Sequence, residues 1–487
     1  MTMNRLARLD HKYLWHPFTQ MKDWLREEPI LIVAGEGPEL IDARGNRYLD
    51  ANASIWTNLH GHRRPDLDEA VRVQLERIAH SSALGLANEP ASLLAEQLVK
   101  VANPPGLFRG KKGEAAALPG PRLAKVFYSD DGSTAMEAGL KMAYEFARRT
   151  GRGPKPRFLS LGAAYHGDTI GAVSLGHIDL FHAAYRGLLF KTDQVPSPFC
   201  YRCRFNKAKP ERADAREYRR CRWECLKALE QRLERARKRG RPYSAFVFEP
   251  LIQGAAGMRP QPEGWLRRAA ALVRDHGALL IADEIMTGFG RTGFRPGDKT
   301  RNPLFACHHE GVQPDLMALA KGLTGGYLPM AATLTSQSIF DAFLGEYAEF
   351  KTFFHGHSYT GNQLGAAVSL ASLRLLRAPE TLAARRRLQR ALTESLSRLW
   401  KLPAVGDIRQ TGLVAGVELV KDWKRREPWP AAAQTGARVC RAMARRGVLT
   451  RPVGDVVVIM PPYCMSEEQI ERVVEALDAG IRETLGS

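Results

Sequence analysis

The sequence predicts an α/β fold: a mainly parallel central sheet in a large domain, plus a small α+β domain formed by both chain ends. Short apolar runs such as 278–282 and 316–320 are bounded by polar or glycine residues, which is typical of buried parallel strands. Helical patterns separate such runs, and this strand–helix–strand order implies right-handed crossovers within one sheet. The length of 487 residues suits a large domain plus a smaller one.

The domain boundaries follow from where these patterns change. We expect residues 1–52 to be the N-terminal segment of the small domain and 53–378 to be the large domain. Residues 379–487 would complete the small domain, because strand and helix patterns alternate there again. A basic insertion that contains cysteines, at about 198–242, interrupts the large domain.

The predicted elements follow in chain order. The turn at 42–46 lies between two alternating runs and predicts a hairpin over 39–50. Further strands are predicted from apolar runs, at 126–129, 158–161, 244–249, 278–282, 316–320, 413–420 and 456–460. Helices are predicted from helical spacing, at 67–80, 91–101, 135–146, 217–239, 264–276, 363–376, 381–400, 433–446 and 466–484.

The net charge of +19 is concentrated in one part of the chain. Between Arg202 and Arg241 there are sixteen Lys and Arg residues against six Asp and Glu residues. We interpret this stretch as a solvated, arginine-rich surface insertion rather than a nucleic-acid patch, because no zinc-finger, single-strand or helix-turn-helix pattern accompanies it. Arg385, Arg386 and Arg387 are likewise interpreted as a solvated helix face.

The compartment is inferred from what the chain lacks. No apolar stretch approaches the ~20 residues of a membrane span, and the first ten residues have no apolar signal core. Seven cysteines make an odd count without a repeated framework, which fits a reducing compartment. We therefore expect a cytoplasmic protein without a membrane or nucleic-acid partner.

One acidic residue and one lysine stand at the ends of two predicted strands. Asp283 ends the run 278–282, and Lys321 follows the run 316–320. Ligands in open α/β sheets bind at the carboxyl ends of strands, so both side chains point toward the same crevice. Pyridoxal phosphate requires this pair: a lysine for the Schiff base and a carboxylate for the pyridine nitrogen. The alternative is that Asp283 caps a helix and Lys321 is a surface residue.

Two further segments fit a phosphorylated, flat cofactor. Gly132, Ser133 and Thr134 come between a strand and a helix, where backbone N–H groups and hydroxyls bind phosphate. Their alternative role is helix capping. Tyr165 follows a strand end and would stack on a ring, or else only pack the loop. Arg451 precedes a strand and is a candidate carboxylate clamp.

Several patterns match dinucleotide or metal sites as strings, but the surrounding sequence does not support those sites. Gly288, Gly290 and Gly293 match a dinucleotide fingerprint as a string, but no helix is predicted directly after them. His60 and His62 lack a third ligand at fitting spacing, so no metal site is predicted there. Four cysteines could close a zinc site, although the second pair is spaced by three within a helical run; these are Cys200, Cys203, Cys221 and Cys225.

Taken together, the motifs resemble the class III, fold-type-I pyridoxal-phosphate aminotransferases. The resemblance covers the chain apart from the basic insertion and is carried by the motifs at 14–21, 165–169, 253–254, 282–293 and 321–326. It implies a homodimer with its active site at the subunit interface and pyridoxal 5'-phosphate as cofactor. More narrowly, the motifs resemble the branch of this family that converts 8-amino-7-oxononanoate to 7,8-diaminononanoate in biotin synthesis.

The resemblance also implies roles for residues of this chain. Lys321 would form the Schiff base and move the proton, with Asp283 on the pyridine nitrogen. Tyr165 and Ile285 would contact the two faces of the cofactor ring. The phosphate and its surroundings would be contacted by Gly132, Ser133, His357 and Ser358, with Ser358 supplied by the partner subunit. The implied substrate contacts are Phe18, Trp56, Asp168, Arg291, Gly356 and Arg451, where Arg451 would clamp the acceptor's carboxylate.

The amino donor is the point where the chain departs from that branch. Aromatic or hydroxyl-bearing residues usual in the branch that uses S-adenosylmethionine are replaced here by Phe18, Ile55, Val453 and Val458. Each change removes surface where an adenosyl group would lie, so the pattern favours L-lysine over S-adenosylmethionine. Two alternatives stay open: another class III ω-aminotransferase acting on putrescine or β-alanine, and a nucleic-acid-binding protein on an inactive aminotransferase fold.

Overall fold

The computed structural model describes residues 4–108, 120–152, 155–295, 298 and 302–486. The strands in these ranges are β1 Ile32–Glu36, β2 Glu39–Asp42, β3 Arg47–Asp50, β4 Leu123–Ser129, β5 Phe158–Leu161, β6 Asp193–Val195, β7 Ala245–Phe248, β8 Ile252–Gln253, β9 Arg259–Pro260, β10 Leu279–Asp283, β11 Leu316–Leu319, β12 Ala331–Ser336, β13 Val405–Thr411, β14 Val414–Leu419, β15 Val448–Leu449, β16 Pro452–Val453 and β17 Val456–Ile459.

Helices cover both faces of the main sheet and fill the C-terminal part. They are α1 Arg5–Tyr13, α2 Met21–Trp24, α3 Ala53–Trp56, α4 Pro65–Arg77, α5 Glu89–Ala102, α6 Gly132–Arg149, α7 Ile170–Leu175, α8 Asp179–His182, α9 Glu224–Lys238, α10 Trp265–Asp275, α11 Ala306–His309, α12 Gln337–Asp341, α13 Gln363–Arg377, α14 Pro379–Ser397, α15 Thr435–Ala444 and α16 Glu467–Leu485. The single turn α3 has left-handed backbone angles.

The central sheet has seven strands within the described ranges, in the order β4-β12-β11-β10-β7-β5-β6. Strands β6, β5, β7, β10 and β11 are mutually parallel, and β12 runs antiparallel to both of its neighbours. Every residue of β10 and β11 is buried, as expected for strands covered on both faces. The predicted α/β class with a mainly parallel sheet is therefore confirmed.

The two chain ends meet in a second sheet. The hairpin β2–β3 is extended by β1 on one side, and β3 pairs in parallel with β15 from the C-terminal part of the chain. A third sheet, β13-β14-β17-β16, lies wholly in the C-terminal part. The N-terminal hairpin thus joins the C-terminal residues in one sheet, as the predicted small α+β domain requires.

Two predictions about basic segments were wrong in part. The helix predicted over 217–239 begins only at Glu224, because Trp223 has a left-handed backbone. Arg385 is not on a solvated face but fully buried, where its guanidinium donates to the Gly290 carbonyl and to Asn302. A buried guanidinium needs several acceptors, and the Gly290 carbonyl and the Asn302 side-chain oxygen are two of them.

The arginines of the insertion are also partly internal. Arg202 Nε donates to Glu418 Oε1 at 2.7 Å, and Arg212 Nη2 donates to the Leu402 carbonyl at 3.1 Å. Arg216 Nη2 donates to the Gln410 carbonyl at 2.6 Å. These contacts attach the insertion to the C-terminal sheet, and a fork-shaped cation suits them better than lysine. The prediction of a solvated insertion was therefore wrong for these side chains.

No helix in the described ranges is long and apolar enough to cross a membrane. The segment from Gly288 to Gly293 forms turns, and no helix starts in the described residues directly after it. The segment therefore lacks the strand-to-helix context of a dinucleotide site, as the sequence predicted.

Candidate active site

A cavity of about 770 Å³ opens at the carboxyl ends of β10 and β11. Asp283 ends β10, and Lys321 comes two residues after β11, so the parallel register brings both to the same edge. The cavity lining includes eight of the predicted site residues, namely Trp56, Gly132, Ser133, Tyr165, Asp168, Asp283, Ile285 and Lys321. The predicted convergence of the two strand ends is thus present in the structure.

Lys321 brings its amine into this cavity. Burial lowers the pKa of the amine, while the carboxylates of Asp283 and Glu249 act to raise it. The Nζ atom lies 4.9 Å from the centre of the Trp56 ring. Lys321 also has a backbone φ of +33°, an uncommon value for a residue other than glycine and one that clusters at functional sites. A lysine with a lowered pKa is a usable nucleophile and base.

Asp283 is held in one orientation by its neighbours. One carboxylate oxygen accepts from the Ile285 N–H at 3.1 Å, and the other lies 2.7 Å from His166 Nδ1. His166 is buried, and its Nε2 atom has no hydrogen-bond partner among the described residues. No role was predicted for His166 from the sequence, although His166 directly follows the candidate ring-stacking residue Tyr165.

Glu249 is a second buried carboxyl at this cavity that sequence reasoning missed. It follows β7 and accepts from the Gly254 N–H at 2.8 Å. Burial raises the pKa of Glu249 to about 7, and Asp283 adds to this shift while His166 and the Gly254 N–H oppose it. Its position at a strand end, before a proline, was the signal available in the sequence.

The start of α6 forms the other side of the cavity. Asp131 caps the helix by accepting from the Thr134 N–H, while the N–H groups of Gly132 and Ser133 belong to the first turn and have no intrahelical acceptor. A Cβ at Gly132 would lie 2.9 Å from Ile285 Cγ2. A helix N-terminus with free N–H groups is an anion site, and this one faces Lys321 across the cavity.

Tyr165 and Asp168 form a pair at the cavity wall. The Tyr165 hydroxyl donates to Asp168 Oδ2 at 2.8 Å, and the Tyr165 ring packs edge to face with Phe181. Burial raises the pKa of the Tyr165 hydroxyl, and Asp168 adds to the rise. Phe18 also packs edge to face on Phe181, so Phe181 links the N-terminal arm (residues 14–21) to the cavity wall.

Phe18 and Arg451 lie outside the cavity lining and contact each other. Arg451 Nη2 donates to the Phe18 carbonyl at 3.0 Å, which joins the N-terminal arm to the C-terminal sheet. Arg291 also lies outside the lining: it is buried and donates to the Pro461 carbonyl at 2.6 Å and to the Asn58 carbonyl at 2.9 Å. The substrate-binding roles of Phe18, Arg291 and Arg451 stay predictions. Arg291 bonds to Asn58, two residues after Trp56, and so supports the segment that carries Trp56.

The segment 356–358 lies on the surface of the chain. His357 Nδ1 lies 2.9 Å from Asp130 Oδ2, and Asp130 lines the cavity. The Ser358 carbonyl accepts from His80 Nε2 at 2.9 Å. A Cβ at Gly356 would meet no atom within 4 Å in the part of the chain that the structure describes. The cofactor and substrate roles of this segment stay predictions.

The remaining metal hypotheses find no support among the described residues. His60 Nε2 lies 3.0 Å from Ser372 Oγ, whereas His62 Nε2 lies 3.2 Å from Asp50. The four cysteines of the insertion are free thiols. No group of three or more His, Cys, Asp or Glu side chains in the described part of the chain is arranged to hold a metal ion.

The cavity has the donor set that pyridoxal 5'-phosphate requires. A lysine amine, a carboxylate and a helix N-terminus with free N–H groups converge in it. A Cβ at Gly167 would lie 2.2 Å from Ser133 Oγ, so glycine leaves room for Ser133 at the anion site. Gly132, Ser133, Asp283 and Lys321 therefore fit the cofactor's phosphate, ring nitrogen and aldehyde carbon.

Comparison with known proteins agrees with this chemistry. The family model "Aminotransferase class-III" matches residues 21–481. The adenosylmethionine-8-amino-7-oxononanoate aminotransferase of Geobacter sulfurreducens is 47% identical over 477 residues, which cover 98% of this chain and 97% of the relative.

Solved structures show the same similarity. The adenosylmethionine-8-amino-7-oxononanoate aminotransferase of Methanocaldococcus jannaschii superposes with a TM-score of 0.85 at 37% identity and covers 98% of each chain. An amine transaminase from an uncultivated Pseudomonas species, in its PLP-bound form, gives a TM-score of 0.83 at 30% identity over 97% of this chain and 98% of that chain.

Proposed function

The chain belongs to the class III aminotransferases, and from this premise we propose that it converts 8-amino-7-oxononanoate to 7,8-diaminononanoate in biotin synthesis, with pyridoxal 5'-phosphate as cofactor. One observation carries the proposal: the Lys321 amine, the Asp283 carboxylate and the N-terminus of α6 face one cavity. The acceptor substrate is inferred from the relatives, whose names state it.

The cofactor, when bound, supplies an electron-accepting ring that stabilises negative charge on the substrate carbon. The lowered pKa of Lys321 increases the fraction of amine free of its proton, so the side chain can accept and return a proton beside that carbon. Asp283, oriented by His166 and the Ile285 N–H, favours a protonated nitrogen on the ring. The first turn of α6 and the Ser133 hydroxyl bind the phosphate.

Arg451 binds the acceptor's carboxylate in this proposal. Its guanidinium is exposed and donates to the Phe18 carbonyl, so a carboxylate entering beside the N-terminal arm would meet it. Charge-assisted, two-pronged hydrogen bonds to a carboxylate are the contacts for which arginine is suited. Trp56 and Asp168 would line the path between this clamp and Lys321.

The amino donor is indicated differently by the relatives' names and by the residues of this chain. The names of the relatives specify adenosylmethionine. The residues of this chain favour L-lysine, because Ile55 and Val453 offer aliphatic surface where stacking partners for an adenosyl group would be needed. Val458 is buried in an apolar cluster with Met286 and Met460, so packing alone accounts for its type. The proposed donor is L-lysine because of the residue types at the other three positions, Phe18, Ile55 and Val453.

The proposal includes a homodimer in the cytoplasm. Large apolar side chains next to the segment 356–358 are exposed, namely Phe354 at 70% and Tyr359 at 62%. Such surface indicates an interface, and Ser358 would then reach the phosphate site of the partner subunit. Light scattering tests this: about twice the 54.2 kDa chain mass is expected, and a monomer with full activity contradicts it.

A half-reaction experiment tests the function. Holoenzyme is mixed with L-lysine, S-adenosylmethionine or putrescine at equal concentration, and the cofactor absorbance is followed. L-lysine should convert the cofactor to its aminated form fastest, and 8-amino-7-oxononanoate should then restore the starting spectrum. If S-adenosylmethionine is faster, the donor proposal is wrong and the acceptor proposal stands. If only putrescine reacts and 8-amino-7-oxononanoate restores nothing, the chain is another ω-aminotransferase.

A further inference from the structure

The turn Ala53–Trp56 has a backbone that L-amino acids rarely adopt. Its four residues have φ values of +44°, +47°, +60° and +71°, and none of them is glycine. The Trp56 N–H donates to the Asn52 carbonyl and the Thr57 N–H to the Ala53 carbonyl, both at 2.9 Å. This is one turn of left-handed helix, which is unfavourable for each non-glycine residue and most of all for β-branched Ile55.

Asp50 holds this turn at its centre. One carboxylate oxygen accepts from the Ser54 N–H at 3.0 Å, and the other accepts from the Ser54 hydroxyl at 2.7 Å. His62 Nε2 lies 3.2 Å from the second oxygen. Asp50 is buried at the end of β3, so the sheet fixes the position of the residue whose carboxylate binds the turn. Two bonds from one carboxylate to one residue restrict that residue's backbone and side chain together.

Asn52 holds the end of the turn. Its side-chain oxygen accepts from the Trp56 indole N–H at 2.8 Å, and Asn52 is itself buried. Beyond the turn, Arg291 donates to the Asn58 carbonyl, and a Cβ at Gly326 would lie 2.8 Å from Asn58 Cα. The turn is therefore held at its middle by Asp50 and at its end by Asn52, and the chain just beyond it is held at Asn58.

The result of these contacts is the position of Trp56. Its ring lies over the Lys321 amine, 4.9 Å from Nζ to the ring centre, and lines the cavity. The same side chain packs against the apolar cluster that contains Met286 and Val458. A right-handed turn would direct the indole elsewhere, because the side-chain direction follows the backbone angles.

We propose that Asp50, Asn52 and Ser54 are positioning residues that force Ala53–Trp56 into the left-handed turn and thereby fix the Trp56 indole against Lys321 as a wall of the substrate site. The inference rests on the proposed function for its catalytic consequence, but not for its structural one. Strain that is maintained by surrounding groups at a functional site is a general means of holding a side chain ready for its ligand.

Hydrogen–deuterium exchange of the holoenzyme tests the structural part. Asn52→Ala and Ser54→Ala should speed exchange of the Trp56, Thr57 and Asn58 amides by about tenfold or more, because the turn loses an external bond that opposes its strain. Asn52→Asp keeps an acceptor for the indole and should exchange at nearly the wild-type rate. The amides of β10 serve as an internal control. Unchanged exchange at the turn in both alanine variants overturns the proposal.

Kinetics of the same variants test the catalytic part. Asn52→Ala should raise KM for the acceptor by about tenfold while kcat falls less, since the binding wall is loosened and Lys321 is untouched. Asn52→Asp should restore most of KM. Equal kinetics in Asn52→Ala and wild type would contradict a positioning role even if exchange is faster. If wild type itself transfers no amino group to 8-amino-7-oxononanoate, the proposed function fails, whereas the exchange result still decides the turn.

Discussion

At the scale of single residues, Glu249 couples the candidate site to pH. Burial in the folded protein raises the pKa of this carboxyl from its ordinary value of 4.5 to about 7. Its contribution to stability is therefore complete below pH 4.5 and is lost as pH rises through 7. The candidate site thus contains a group that titrates close to neutral pH.

Glu249→Gln should remove this dependence. Between pH 5 and pH 8 the variant should gain about 2–3 kcal/mol of unfolding free energy relative to wild type, because glutamine has no proton to lose. Chemical unfolding of the apoprotein at the two pH values measures this, with exposed Glu230→Gln as the control. A constant difference between variant and wild type would mean that Glu249 is already ionised at pH 5.

Arg385 is a second residue whose burial makes a clear prediction. Arg385→Met should lower the unfolding free energy by about 2–4 kcal/mol, because the Gly290 carbonyl and Asn302 lose a buried charged donor. The matched control is Arg387→Met, an exposed residue of the same helix, which should change stability by less than about 0.5 kcal/mol. Equal losses in the two variants would contradict the buried role.

Arg451 is the residue on which acceptor binding depends in the proposed function. Arg451→Ala should weaken binding of 8-amino-7-oxononanoate by roughly 2–4 kcal/mol, from the loss of a charge-assisted pair. The half-reaction with a donor should be affected less if the donor places no carboxylate there. Single-turnover kinetics of both half-reactions measure this, and small, equal effects on the two would exclude Arg451 as the clamp.

At the scale of elements, helix α6 offers a matched pair of glycines. Gly132→Ala should weaken cofactor binding about tenfold or more, because the new Cβ would contact Ile285 at 2.9 Å and displace a side chain of the cofactor pocket. Gly139→Ala, in the middle of the same helix, would meet atoms only at 3.6 Å or beyond and should stabilise the protein by about 0.5–1 kcal/mol. Titration of the apoprotein with cofactor measures the first effect. Unchanged affinity in Gly132→Ala would place the cofactor elsewhere.

Part of the candidate site was predictable from the points at which the strands end. Lys321 and Asp283 were predictable because each ends a short apolar run, and parallel strands bring such ends together. His166 was not, since its role depends on a contact across the fold with Asp283, 117 residues away. Glu249 also follows a short apolar run, but its raised pKa depends on burial that only the folded chain provides. Arg385 was misread as solvated because its acceptors, Asn302 and the Gly290 carbonyl, lie 83 and 95 residues away, in segments without a hydrophobic period.

At the scale of the whole molecule, the fold places chemistry where two parts of the chain meet. The central sheet supplies Asp283 and Lys321, while the second sheet combines the N-terminal hairpin with β15 and carries Asp50 and the turn to Trp56. The N-terminal arm reaches Arg451 through the Phe18 carbonyl. The cavity wall and the arm beside it therefore depend on both ends of the chain being in place.

Product formation that depends on Lys321 tests the proposed function directly. Wild-type holoenzyme and Lys321→Ala are incubated with 8-amino-7-oxononanoate and either donor, and 7,8-diaminononanoate is quantified by mass spectrometry. Wild type should form the product, and the variant should lose activity by several orders of magnitude, because the amine that binds the cofactor and moves the proton is gone. Formation of 7,8-diaminononanoate by Lys321→Ala at the wild-type rate would contradict the account.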